Sequence, residues 1–278
     1  MSDPHRKSLG LKGGDISILE WPGSGPAFHF AHANGFNAQT YAQLLAPLGA
    51  RFHILASDAR GHGFSELPTE TGSARNWDIL AHDLAQTLDR IHPEPIILAG
   101  HSLGAVTSMM VAAAQPSRVR GLILVEPVLV PENSAGPGPA LATMTRKRRA
   151  QFASLDAALA AYRGRGAFAS WPEDMLRDYL TGGLKPTSGG VTLACAPSWE
   201  AEIYDGNPVG AAKLARAVPC PITVLYGDRD STAPESEVQI IAQNPVVRVV
   251  KVPGASHFLP MEKPDLVRAE IARMMEST

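Results

Sequence analysis

Residues 96–104 read Ile-Ile-Leu-Ala-Gly-His-Ser-Leu-Gly, and this stretch decides the fold. The apolar run from Pro95 to Ala99 shows no alternation, as expected of a strand buried on both faces of a parallel sheet. Leu103 to Ala114, rich in Ala, Met and Val, reads as a helix. Gln115-Pro116 ends it, because proline disfavours the α region for the residue before it. Ser102 therefore falls between a strand and a helix. Gly100 and Gly104 flank it, and glycine is the residue that fits where two elements nearly touch. Such a bend exposes the serine oxygen above the sheet edge, while the helix N-terminus points N–H groups and a positive dipole end toward developing negative charge. In a chain with 25 glycines the pattern Gly-x-Ser-x-Gly is weak by itself. Its strand–turn–helix setting makes Ser102 the candidate nucleophile.

Outward from this bend the chain alternates strands and helices. Upstream, Ile16–Trp21 predicts a partly exposed strand and Ala27–Ala31 a second, running into His32-Ala33-Asn34-Gly35-Phe36. Tyr41, Leu44, Leu45 and Leu48 fall on one helical face, Phe52–Ala56 predicts the next strand, and Leu80, Leu84, Leu88 and Ile91 line another helix. Downstream, Gly121–Val125 predicts a buried strand ending at Glu126-Pro127. Pro131–Pro139 is rich in proline and glycine, and helical segments follow near 141–153, 156–163 and 172–180. Parallel-type strands resume only at Ile222–Tyr226 and Val246–Val252, and a closing helix begins at Pro264, a favoured first helical position. The expected organisation is a core of residues 1–126 and 213–278, with residues 127–212 inserted as a mainly helical cap after the sixth core strand. Repeated strand–helix alternation implies a mostly parallel sheet with helices on both faces, an α/β fold whose ligands bind beyond the carboxyl ends of the strands.

Composition narrows the partners. The 278 residues carry 25 Lys and Arg against 27 Asp and Glu, a formal net charge of −2. Nothing there suggests capture of nucleic acid or of an anionic membrane, so a small molecule is the expected partner. The first 14 residues lack an apolar signal core and no run approaches a membrane span, which points to a cytoplasmic protein. The two cysteines, Cys195 and Cys220, have no metal-ligand spacing. His32, His62 and His101 share no helical face or short ligand spacing, so no metal is expected. The insert holds eight basic and eight acidic residues. Its run Arg146-Lys147-Arg148-Arg149 reads as solvated surface, because adjacent residues point in different directions around a helix. Oligomeric state leaves no mark on the sequence.

Ser102, Asp230 and His257 each follow a predicted strand, so a parallel sheet can gather them at one edge. Four motifs then resemble the α/β-hydrolase superfamily over nearly the whole chain. These are Gly100-His101-Ser102-Leu103-Gly104, the turn Asp58-x-Arg60-Gly61-His62-Gly63-x-Ser65, the loop Gly227-x-x-Asp230, and Gly254-x-x-His257-x-x-x-x-Glu262-x-Pro264. The resemblance implies a capped hydrolase without cofactor. Ser102 would be the nucleophile, His257 the base and Asp230 the acid, in the family's order Ser, Asp, His. Glu126, at the end of the sixth strand, is the alternative acid, followed by Asp228. Of the two N–H groups an oxyanion needs, Leu103 should supply one. Relatives take the second from His-Gly-x after the third strand. Asn34-Gly35-Phe36 in that place assigns it to Phe36, whereas aligning His32-Ala33-Asn34 assigns it to Asn34. Phe36, Val128, Leu129 and Trp199 are candidate pocket walls, and the Arg60–Gly63 turn a structural support. The resemblance implies a serine hydrolase acting on small, largely uncharged carboxylic esters. Thioesterase, lactonase and carbon–carbon bond hydrolase activities are variants on the same residues, and a non-catalytic binding protein is the reading from a different class. Haloalkane dehalogenase and epoxide hydrolase are disfavoured, because relatives with that chemistry carry aspartate in place of Ser102.

Overall fold

The computed structural model describes residues 4–278, so the first three residues of the expected core lie outside it. Its centre is an eight-stranded sheet built from β1 (His5–Leu11), β2 (Gly14–Pro22), β3 (Ala27–Ala31), β4 (His53–Ser57), β5 (Ile96–His101), β6 (Val119–Val125) and two later strands, β10 (Ile222–Gly227) and β11 (Val247–Val252). The order is β1-β2-β4-β3-β5-β6-β10-β11, with β1 and β2 antiparallel and the other six parallel. This is the mostly parallel α/β sheet that the alternating pattern predicted.

Both faces of the sheet are covered, which explains why its central strands read as unbroken apolar runs. Successive side chains point to opposite faces. Leu98, Leu122, Leu124 and Val224 join one core with helices α2 (Asp78–Ile91) and α3 (Leu103–Ala114). Ile97, Ala99, Ile123 and Leu225 join the other, with the short α1 (Ala42–Leu45) and, at the end of the chain, α10 (Pro264–Ser277).

Three expectations for the core change. Strand β1 was not anticipated: its exposed, charged pattern carries no apolar alternation, and it exists by pairing along the whole of β2. Strand β2 is buried from Ile16 to Trp21 rather than partly exposed, because β1 and β4 flank it. The helix expected over Tyr41–Leu48 is broken into 3₁₀, α and 3₁₀ turns, with Pro47 in the last of them.

Between β6 and β10 the chain forms α4 (Gly138–Thr145), β7 (Gln151–Phe152), α5 (Leu155–Tyr162), α6 (Glu173–Gly183), β8 (Leu184–Thr187), β9 (Gly190–Leu193) and α7 (Pro197–Asp205). The three short strands make a separate antiparallel sheet in the order β7-β9-β8 that the sequence reading did not foresee. Past β10, α8 (Glu235–Ile241) precedes β11, and α9 (Leu259–Glu262) leads into α10.

Candidate active site

Ser102 sits where β5 turns into α3, with φ 57° and ψ −116°. A non-glycine residue with positive φ is strained, typically by 1–3 kcal/mol. The flanking glycines show what holds it there: a Cβ on Gly100 would lie 2.3 Å from Gly104 O, and one on Gly104 would lie 2.1 Å from Ala31 O. No other residue permits that approach of strand, turn and helix. The Ser102 side chain has no hydrogen-bond partner among the described residues. It lines a largely apolar cavity of about 760 Å³ that it shares with His257.

His257 lies in the loop after β11. Its Nδ1 is 3.0 Å from Thr232 Oγ1 and 3.5 Å from Glu126 Oε2. Thr232 Oγ1 already donates to the Glu126 carbonyl at 3.0 Å, so it accepts from Nδ1–H, and the partners fix the tautomer. Nε2 is then the unprotonated nitrogen, and it has no protein partner among the described residues. Ser102 Oγ and His257 make no direct hydrogen bond, a looseness common before substrate tightens such a site.

The carboxylate beside His257 is Glu126, not Asp230. Glu126 is fully buried, and its oxygens accept from Gly227 N–H, from Ser231 Oγ at 2.8 Å and from Thr232 N–H at 3.2 Å. Such donors stabilise a buried anion. Asp230, expected as the acid from the Gly-x-x-Asp spacing, is exposed at the cavity rim and makes no hydrogen bond or ion pair among the described residues. Asp228, the third candidate, accepts from Gly254 N–H at 2.8 Å on the surface.

The backbone N–H groups near the Ser102 elbow differ in their engagement. Phe36 N–H is engaged, donating to Ala33 O at 3.1 Å across a tight turn, and Gly35 N–H donates to His62 Nε2 at 3.0 Å. Asn34 N–H has no partner among the described residues, and neither has that of Leu103 at the first turn of α3; both residues line the cavity. Of the two alternatives, Phe36 N–H is already bonded and, among the described residues, Asn34 N–H is not.

Four histidines hold this geometry from behind. His32 Nδ1 meets Ala33 O at 2.7 Å and its Nε2 accepts from Ala59 N–H at 2.8 Å. His62 Nδ1 meets Arg60 O at 2.9 Å while its Nε2 serves Gly35. His101 Nε2–H donates to His257 O at 2.8 Å, and its Nδ1 accepts from Tyr41 OH at 2.7 Å. Tyr41 OH accepts in turn from Ala33 N–H at 3.1 Å. His29 meets Ser57 Oγ at 2.9 Å. Burial pushes His29 and His62 down to about 3 and holds His32 and His101 below the ordinary imidazole value, so these rings stay neutral. Among the described residues no group of three or more His, Cys, Asp or Glu is placed to hold a metal ion.

Of the expected walls, Phe36, Val128 and Leu129 line the cavity, while Trp199 does not. Trp199 is packed beneath it, donating from Nε1 to Arg60 O at 2.9 Å against Gly61. The Arg60–Gly63 turn is a support: Arg60 makes a buried bidentate pair with Asp83 at 2.7 and 2.8 Å.

Sequence reasoning missed Thr232 and Arg148. Arg148, read as solvated, lines the cavity and pairs through Nη1 with Glu200 Oε2 at 2.8 Å. Burial opposes its charge, but Tyr179, Glu200 and Tyr162 around it hold its pKa above the ordinary guanidinium value. No local signal marked it: the helix expected over 141–153 ends at Thr145, so the residues after it do not follow helical directions.

A mostly parallel sheet, a strained serine at its edge and a histidine backed by a buried carboxylate define a hydrolase-type site. The alpha/beta hydrolase family model matches residues 30–270, and the chain belongs to that family. The 2-(acetamidomethylene)succinate hydrolase of Mesorhizobium japonicum is 28% identical over 256 residues, spanning 92% of this chain and 90% of the relative. The pimeloyl-(acyl-carrier protein) methyl ester esterase of Chromobacterium violaceum is 28% identical over 270 residues, spanning 91% and 95%. The crystal structure of E-2-(acetamidomethylene)succinate hydrolase superposes with a TM-score of 0.86 at 26% identity, covering 98% of this chain and 99% of that one. Among the described residues no helix is long and apolar enough to cross a membrane.

Proposed function

We propose that this protein is a serine hydrolase that cleaves small, largely uncharged carboxylic esters through an acyl-enzyme on Ser102. The observation that carries the reading is a Ser102 Oγ at a strained elbow, sharing one cavity with a His257 whose Nδ1 is engaged, with neither Ser102 Oγ nor His257 Nε2 bonded among the described residues. His257 Nε2 takes the proton of Ser102 Oγ as that oxygen attacks the ester carbonyl carbon. Glu126 and Thr232 hold the imidazolium that forms. Leu103 and Asn34 N–H groups donate to the oxyanion, and each such donor is typically worth about 2.7–4 kcal/mol in the transition state. The tetrahedral intermediate collapses, the alcohol leaves with the proton from His257, and water repeats the sequence to free the acid and Ser102.

Both full-length relatives are named for hydrolytic reactions, which supports cleavage over non-catalytic binding. The cavity walls, with Phe36, Val128, Leu129, Phe168 and Phe258, favour an apolar group on the substrate. We read residues 127–212 as the cap that supplies most of that wall, and the protein as cytoplasmic and acting on a small molecule. A fluorophosphonate probe tests the reading: it should label the wild type and fail to label Ser102→Ala. An unlabelled, folded wild type refutes it.

A further inference from the structure

Among the described residues Arg148 is the only Arg or Lys lining the cavity, and its charge is already matched. Glu200, also in the wall, holds Nη1 at 2.8 Å, and the two side chains are 20% and 7% exposed. On the other side Arg148 Nη2 meets the hydroxyls of Tyr162 at 3.3 Å and of Tyr179. The remaining fixed charges near the site are carboxylates: Asp230 at the rim and Glu126 behind His257. Three carboxylates therefore stand against one guanidinium.

The Glu200 carboxylate is packed in place. It rests on the oxyanion loop, where a Cβ on Gly35 would lie 2.4 Å from Glu200 Oε1, and the Glu200 carbonyl accepts from Asn34 Nδ2 at 2.9 Å. Parting it from Arg148 would leave a buried carboxylate without its cation, which is strongly unfavourable. An incoming anion thus finds neither a free cation nor a movable counter-charge.

We infer that Glu200 is a specificity-determining residue: by occupying Arg148, it makes the cavity select uncharged substrates over anionic ones of the same length. The inference rests on the serine-hydrolase reading above and deepens its substrate class. A purely structural tie between α7 and the residues after α4 would make a different prediction, lowering all activities together when broken.

Two esters with a common leaving group and acyl chains of equal length test it, p-nitrophenyl hexanoate and the anionic mono-p-nitrophenyl glutarate. The wild type should favour the neutral ester in kcat/KM, and Glu200→Gln, which keeps the side chain's size and frees Arg148, should move that ratio toward the anion by about tenfold or more. Adding Arg148→Gln to Glu200→Gln should return the ratio toward the wild-type value. Glutarate should raise the melting temperature of Glu200→Gln and leave the wild type unmoved, a readout that needs no turnover. If Glu200→Gln does not fold, Arg148→Gln carries the test and should sharpen the preference for the neutral ester by about tenfold. An unchanged ratio in these variants, or a wild type that cleaves both esters equally, overturns the inference. Failure of the hydrolase reading looks different: no ester turns over and no probe labels Ser102, while the glutarate melting shifts still report on Glu200.

Discussion

Replacing Glu126 by Gln should disable this site far more than replacing Asp230 by Asn. The Glu126 carboxylate lies 3.5 Å from His257 Nδ1 in a fully buried position. A charge at that distance, in a medium of effective dielectric constant about 20, attracts an imidazolium by about 5 kcal/mol. A glutamine dipole keeps part of this, leaving a loss of about 4 kcal/mol, or about a thousandfold in kcat. The same change turns one acceptor oxygen into an NH₂ facing Gly227 N–H, Ser231 Oγ or Thr232 N–H, at a stability cost of about 1–3 kcal/mol. The assay is steady-state hydrolysis of p-nitrophenyl butyrate, with thermal melting to show that each variant is folded. Asp230 is exposed and unpaired among the described residues, so Asp230→Asn should stay within about tenfold of wild type, as expected for a solvent-screened charge. A folded Glu126→Gln within tenfold of wild type, beside an Asp230→Asn that has lost a thousandfold, would refute the assignment.

Thr232→Val removes the nearer partner of His257 Nδ1 at 3.0 Å, and should lower kcat by about tenfold at unchanged KM, the worth of one neutral hydrogen bond. Gly104→Ala puts a methyl group 2.1 Å from Ala31 O, so differential scanning calorimetry should show a destabilisation of about 1–3 kcal/mol or more, with loss of fluorophosphonate labelling. His29 and His62 keep folded-state values of about 3 against about 6.5 when unfolded, so the unfolded chain binds more protons below pH 6.5. Their contribution is intact above that pH and falls by roughly 3 kcal/mol per pH unit, for the two together, as pH drops toward 3. Urea titrations from pH 7 to 4 should follow that slope downward, and a flat profile would contradict buried neutral rings.

The elbow was legible because its signals are local: two glycines, a proline stop and a change of period all lie within a short stretch of chain. The carboxylate nearest His257 was not, because β6 and β10 are neighbours, with Val125 opposite Leu225, and their two following loops abut. Glu126 and Asp230 thus reach the same neighbourhood, both with positive φ. Spacing alone favours Asp230, and only burial and side-chain direction separate them. The sequence could not show that one tight turn, Ala33 to Phe36, consumes the Phe36 N–H, which the proposed site would need free. Arg148 was hidden because its neighbours Arg146 and Lys147 do stay outside, while its own partners come from residues 162, 179 and 200, which no local pattern connects.

The second residue of the elbow explains how parts so far apart in sequence keep one geometry. His101 donates to the His257 carbonyl and accepts from Tyr41 OH, which receives the Ala33 N–H. One imidazole therefore ties the turn that carries Ser102 to the loop that carries His257 and to the loop that offers Asn34. The arrangement requires His101 to be both donor and acceptor, a property of neutral imidazole alone. Burial enforces that state, and a protonated ring would lose its hold on Tyr41. Fixing reacting groups before substrate arrives is the source of proximity and electrostatic catalysis, because no reorganisation remains to oppose the transition state. Between the strained serine and its two glycines, the elbow thus has a third function, as the joint on which the opposing halves of the site are hung.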